Sequence, residues 1–173
     1  CFSYPNTKSS VLNNLSIEIR SGESIGLIGS SGSGKTTLLD VLLGLLEPQE
    51  GELSYNGKPL DVSLPEWRSQ VAYLPQQVFL IDNTLRRNVA LGIEDNEIDD
   101  LQLNKALSQS RLTEVVEELP DGLNTMLGER GIRLSGGQRQ RVALARAFYH
   151  KRNVIIMDEA TSSIDNETEQ EIV

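Results

Sequence analysis

Eight consecutive residues constrain this chain more than any others: Gly29-Ser30-Ser31-Gly32-Ser33-Gly34-Lys35-Thr36, which fit the pattern G-x-x-x-x-G-K-[ST]. At ordinary residue frequencies the four fixed positions recur by accident in under ~1% of chains this long. The pattern has a mechanism only where a strand leads in and a helix leads out. Ser24 to Ile28 is a short apolar run that stops at Gly29, and Thr36 to Leu46 is apolar nearly all round, as in a helix packed on a sheet. Small residues let backbone N–H groups close around phosphate oxygens, and the helix start adds a favourable dipole. Lys35 supplies charge, and the Thr36 hydroxyl can ligate Mg²⁺. Gly29 to Thr36, with Thr37 beside them, are therefore the candidate nucleotide-phosphate site.

Around this unit the pattern is that of an α/β domain. Leu15, Ile17 and Ile19 alternate with polar residues as in a half-buried strand ending at Ser21-Gly22. Asn56-Gly57, between Leu53-Ser54-Tyr55 and Lys58-Pro59-Leu60, is the pair that a type I′ hairpin favours. Val71 to Leu74 reads as a further strand. From Asp82 to Leu119 the period becomes helical, with Leu112, Val115, Val116 and Leu119 on one face. A helix over about 136–149 and a buried strand, Asn153 to Met157, complete the alternation, which implies a largely parallel sheet.

The net charge of −9, from 16 Lys and Arg against 25 Asp and Glu, disfavours broad contact with nucleic acid, so any grip on phosphate has to be local. One cysteine, Cys1, excludes an intrachain disulfide. The longest apolar stretch, around Val41 to Leu46, is far below the ~18 residues that span a bilayer, and no secretory signal opens the chain, so the domain is expected to be soluble. Because Cys1 leads directly into a patterned segment, the chain reads as excised from something longer.

The phosphate loop alone would also suit a nucleotide kinase, a GTPase or a helicase. Leu134-Ser135-Gly136-Gly137-Gln138 decides among them. Ser135 is placed to cap a helix, and two glycines leave backbone N–H groups uncovered, which makes a second anion site. With this motif the chain resembles the ABC transporter ATPase family, whose signature is LSGGQ, over essentially its whole length.

The resemblance implies a P-loop NTPase core, a mostly parallel sheet flanked by helices, with a small antiparallel β part and an inserted helical subdomain. On this chain the core would comprise 1–76 and 140–173, and the helical subdomain about 77–139. It also implies that two such domains pair head to tail, each covering with Ser135, Gly136, Gly137 and Gln138 the ATP held by the other. Val154-Ile155-Ile156-Met157-Asp158-Glu159 is similar to the family's Walker B segment. There Asp158 would hold Mg²⁺ together with Thr36 and Gln76, and Glu159 would polarise the attacking water. Gln76 matches the Q-loop glutamine, with Gln77 as the competing assignment, and Lys35 joins Glu159 and Gln76 as catalytic. Asp165 matches the D-loop, and its plainer reading as a helix N-cap is compatible with that role. Tyr4, in Phe2-Ser3-Tyr4-Pro5, stands where the family stacks an aromatic on adenine.

Leu127-Gly128-Glu129-Arg130-Gly131 and Asn83 to Val89 are similar to the exporter versions of their regions. They imply transmembrane domains, fused upstream, and a place on the cytoplasmic face of a membrane. Two further readings stand beside the exporter: a soluble ABC ATPase clamp serving DNA repair, translation or assembly, or an importer subunit; and a nucleotide sensor that does not hydrolyse. The family's switch histidine follows a strand beyond the D-loop. His150 precedes the Walker B strand and cannot fill that place; near a helix end beside Lys151 and Arg152, it is expected to suit the dipole as a cation. Without the switch residue, the chain as given is expected to bind ATP with poor turnover. The acidic stretch Glu94 to Asp100 reads as a solvated loop, and Trp67 carries no role.

Overall fold

The computed structural model describes residues 1–5, 7, 9–128 and 132–158. Helices form where apolar residues recur at helical spacing, and the chain separates into two units, Cys1–Val71 and Ala72–Val173. In the first, α1 (Lys35–Leu42) follows Gly34 directly. It ends earlier than the apolar pattern suggests, because Gly44 turns into the left-handed region at φ 66°. Strands β1 (Ser54–Tyr55) and β2 (Lys58–Pro59) pair antiparallel across Asn56 and Gly57, whose φ values of 51° and 74° are those of the expected type I′ turn.

Helix α2 (Leu60–Gln70) has no counterpart among the elements expected from sequence, and Pro65 lies inside it. Its anchor is Trp67, which donates from Nε1 to the Leu42 carbonyl at 2.8 Å and packs on the Tyr55 ring at 5.1 Å between centroids. Trp67 thus acquires the role that its sequence context withheld: it ties α2 to α1 and the hairpin.

Two expected strands, Leu15 to Ile19 and Ser24 to Ile28, are not strands. Their apolar side chains lie exposed, Ile28 completely so. Alternation records which face of a strand would be buried, but a strand exists only with a ladder partner. Among the described residues of the first unit, strand pairing is confined to β1–β2 and a single bridge between Phe2 and Leu12.

The second unit is built around α6 (Gly136–Tyr149). One face carries Val142, Ala145 and Tyr149 into a core shared with α3 (Leu85–Val89), α4 (Asp100–Gln109) and α5 (Thr113–Glu118). The other carries Ala143 and Leu144 against Leu74 and the partly buried Ala72, Ile155 and Met157 of β3 (Val71–Leu74) and β4 (Val154–Met157). Leu85, Leu103, Leu112 and Leu144 have no exposed surface. Truncating any of them to Ala would cost about 2–5 kcal/mol.

The caps follow from the sequence. Thr84 Oγ1 accepts from the Arg87 N–H at the start of α3, and Asp99 accepts from the Leu101 and Gln102 N–H groups at the start of α4. The acidic stretch expected as a loop is therefore partly helical, with a 3₁₀ turn at Asp95–Glu97 and α4 beginning at Asp100. Arg87 pairs with Asp95 at 2.6 Å, and Arg86 with Asp100. These exposed pairs contribute little. Among the described residues no helix is long and apolar enough to cross a membrane.

Candidate functional site

In the first unit the glycine-rich loop closes on itself. Lys35 Nζ donates to the Gly29 and Ser30 carbonyls at 2.9 and 3.0 Å, so the ammonium lies across the mouth of the loop. Gly34 stands at φ 92° at the N-cap of α1, and a Cβ there would sit 3.0 Å from Val11 Cγ1 and 3.2 Å from the Val11 carbonyl oxygen. Only glycine meets both demands. No side chain caps α1, and its first turn holds no acidic residue. The helix start thus offers backbone N–H groups and positive dipole with no carboxylate in that turn to compete, an arrangement that fits a polyanion such as a triphosphate.

Tyr4 lies beside this loop. Its hydroxyl is 3.1 Å from Thr37 Oγ1, and its ring meets Phe2 edge-on at 5.0 Å. It also lines an open groove of about 540 Å³ with Ser3, Pro5, Ser10 and Gln49. That groove is on the Tyr4 side, and the residues of the phosphate loop from Gly29 to Ser33 are exposed.

In the second unit, β3 and β4 are ladder neighbours. The Asp158 N–H donates to the Leu74 carbonyl at 3.0 Å, so both strands end at one edge, with Asp158 and Gln76 just beyond it. The Tyr73 hydroxyl donates to Asp158 Oδ2 at 3.3 Å and orients the carboxylate. Ser135 caps α6 as expected, and the cap is reciprocal: Ser135 Oγ accepts from the Gln138 N–H at 3.2 Å, while Gln138 Oε1 accepts from the Ser135 N–H at 2.8 Å. Gln138 is thereby committed to shaping the helix start. Gly136 is exposed, and a Cβ on it would meet nothing within 4 Å. Among the described residues nothing requires a glycine there. Glu129, Glu159 and Asp165 lie outside the described residues.

Three side chains that sequence reasoning did not single out hold this unit together. Arg146 donates from Nε to the Asn88 carbonyl at 2.5 Å, from Nη1 to the Phe79 carbonyl at 2.9 Å and from Nη2 to Asn88 Oδ1 at 3.0 Å. Burial pulls its guanidinium below the ordinary arginine value. Asn88, fully buried, donates in turn to the Ile81, Asn83 and Thr84 carbonyls. Gln140 donates to the Pro75 and Gln76 carbonyls. The legible signal was a cation at position 146 inside the otherwise apolar run from Val142 to Tyr149.

His150, the C-cap of α6, differs from its expected cationic role. Its ring stands edge-on to Tyr149 at 5.3 Å and is half-buried. Burial first, then Arg152 and Arg146, push its imidazole below the ordinary 6.5, and a hydrogen bond with the Leu91 backbone only partly offsets them. The fold favours the neutral ring. As pH falls through 6.5 the unfolded chain takes up a proton that the folded chain refuses, so stability falls with it. His150→Asn should therefore lose less stability than the native protein between about pH 7 and pH 5 in thermal unfolding. Equal losses would contradict this.

A family model described as "ABC transporter" matches residues 12–162. The chain is 42% identical over 173 residues to a protein of Cupriavidus metallidurans named ATP-dependent lipid A-core flippase, covering 99% of this chain and 29% of that one. It is 43% identical, with the same coverage, to the protein of that name in Ralstonia nicotianae. Among solved structures it resembles a bacterial Atm1-family ABC exporter with ATP bound, at a TM-score of 0.87 and 32% identity, covering 99% of this chain and 30% of that one. The chain thus spans under a third of the length of the relatives it matches.

Proposed function

From the premise that this chain belongs to the ABC transporter family, as its nucleotide-binding ATPase domain, we propose that it powers export across a membrane. Two copies would pair head to tail around ATP. The observation that carries the pairing is the start of α6: an exposed, reciprocally capped helix N-terminus with a glycine at position 136 that none of the described residues around it requires. Such a surface suits close approach by another molecule's phosphates. In each composite site Lys35 and the amides at the start of α1 would hold the β- and γ-phosphates, and Ser135, Gly136 and Gly137 of the partner would close over them.

By the family resemblance, Thr36, Asp158 and Gln76 would be the residues that supply oxygen donors to Mg²⁺, a hard cation that keeps several waters and needs few protein ligands. Bound there, Mg²⁺ would neutralise charge on the phosphates. Glu159 would orient and polarise the attacking water, and Asp165 would reach the opposite site. Gln76 would be the Q-loop residue; its neighbour Gln77 lines a groove with Tyr73, Val78, Phe79, Leu91 and Arg152. That groove, about 400 Å³ and mostly apolar, with Phe79 exposed at its rim, suits a helix of the membrane domains. Glu129 would make a second contact with them.

Relatives more than three times as long as this chain favour membrane domains in the same polypeptide, with this domain at the cytoplasmic face. The test is fractionation of the native protein. Retention in an alkali-washed membrane pellet is expected; recovery in the soluble fraction would overturn the exporter reading and favour the soluble clamp.

Tyr4 would stack on the adenine. Tyr4→Ala should weaken ATP binding by ~1–3 kcal/mol, about five- to 150-fold. Tyr4→Phe, which keeps the ring and loses only the bond to Thr37, should cost about 1 kcal/mol or less. Titration of a fluorescent ATP analogue measures both, and native affinity in the Ala variant would remove the assignment.

A further inference from the structure

We propose that Gln140, outside the signature and outside every motif above, is the positioning residue for Gln76. The proposal rests on the reading of Gln76 as the residue that meets Mg²⁺ and the attacking water. Gln140 sits one turn into α6 and is 2% exposed. Its Nε2 donates to two consecutive carbonyls, Pro75 at 3.0 Å and Gln76 at 3.1 Å. Those carbonyls belong to the two peptide planes that flank the Gln76 Cα. Gripping both planes fixes the backbone rotation on either side of that atom, and with it the direction in which the Gln76 side chain leaves the chain. Leu74, two residues before Gln76, is already tied down, because its carbonyl accepts from the Asp158 N–H at the end of the β3–β4 ladder. Gln140 takes over where that ladder stops.

The second observation is the other end of the same amide. Gln140 Oε1 is buried and, among the described residues, is the one buried side-chain polar atom with no hydrogen-bond partner. A buried acceptor left unmade is costly, and a Met or Leu of similar size would avoid it. An amide is understandable at this position if its NH₂ group is what the fold needs. Because α6 begins at Gly136, behind the cap made by Ser135 and Gln138, any displacement of that helix start by a second molecule would be carried through one rigid turn to Gln76.

The test is a double-mutant cycle on the full-length native polypeptide, with Mg-ATP as the probe. Gln140→Met is expected to lower kcat about tenfold and to raise the Mg²⁺ concentration for half-maximal rate several-fold, with the KM for ATP within about twofold of native. In a Gln76→Ala background the same substitution should change kcat less than about twofold, because the residue it acts through is gone. A packing defect alone would lower the melting temperature without moving the Mg²⁺ dependence. If Gln140→Met retains native kcat, or costs as much in the Gln76→Ala background as in the native one, Gln140 is not the positioning residue and the role of Gln76 stands. If Gln76→Ala itself turns over normally, the role of Gln76 falls and takes the proposal with it. Should the Met variant not fold, Gln140→His keeps one N–H donor and is expected at an intermediate kcat in the same cycle; full additivity there would overturn the proposal equally.

Discussion

Glu159→Gln in the full-length protein is expected to bind ATP with native affinity and to hydrolyse it about a thousandfold more slowly. The reasoning separates binding from chemistry. The groups that would meet the phosphates are Lys35, folded across its loop, and the open N-terminus of α1, and the substitution touches neither. Glu159 follows Asp158, whose own place at the end of β4 is fixed by the Leu74 carbonyl and the Tyr73 hydroxyl. A carboxylate there can accept a proton from water, whereas an amide of the same shape can orient the water but not take the proton. General-base catalysis of this kind contributes about 10²–10⁴-fold. Because the two copies are proposed to pair around ATP, a variant that keeps its ATP uncleaved should also hold the ATPase domains paired, visible as an ATP-dependent closed state that native protein shows only transiently. Normal turnover in this variant would end the catalytic assignment of Glu159.

Legibility in the sequence followed how local each physical cause is. The hairpin at Asn56-Gly57, the cap at Ser135 and the span of α6 are settled by residues within a few positions of one another, and all three form as read; the strand Val71–Leu74 also forms as read, but on a distant partner, Val154–Met157. The phosphate loop was legible for the same reason, since its glycines and Lys35 act on their own backbone. The segments around Leu15 to Ile19 and Ser24 to Ile28 were misread because alternation describes a face and not a ladder partner, and partners are not local. Helix α2 was missed because its supports are distant: Trp67 reaches back 25 residues to the Leu42 carbonyl. Arg146 and Gln140 escaped notice because their partners, Phe79, Asn88, Pro75 and Gln76, lie some 58 to 67 residues away and are mostly backbone carbonyls, which leave no trace in a sequence. Sequence found the groups proposed to touch nucleotide, and structure found the groups that hold them.

Lys35→Ala in the complete domain should weaken ATP binding about a hundredfold or more while leaving AMP affinity within a few-fold of native. Each charge-assisted hydrogen bond to an ionised oxygen contributes about 1.5–3 kcal/mol, and an ammonium at the loop mouth can make two at once. The Gly29 and Ser30 carbonyls at 2.9 and 3.0 Å hold Nζ at that mouth, so the cation is positioned in advance and exchanges neutral acceptors for charged ones when a triphosphate enters. The effect should therefore grow with the number of phosphates. AMP brings neither a β- nor a γ-phosphate and loses little. Lys35→Arg is not a rescue, because a planar fork cannot fold over two adjacent carbonyls and then point into a loop that closes on a single ammonium. Titration of AMP, ADP and ATP against native and variant proteins, read by calorimetry at fixed Mg²⁺, gives the three differences directly. A loss equal for all three nucleotides would mean that the substitution had collapsed the loop, and an ATP affinity equal to native would remove Gly29 to Thr36 as the phosphate site.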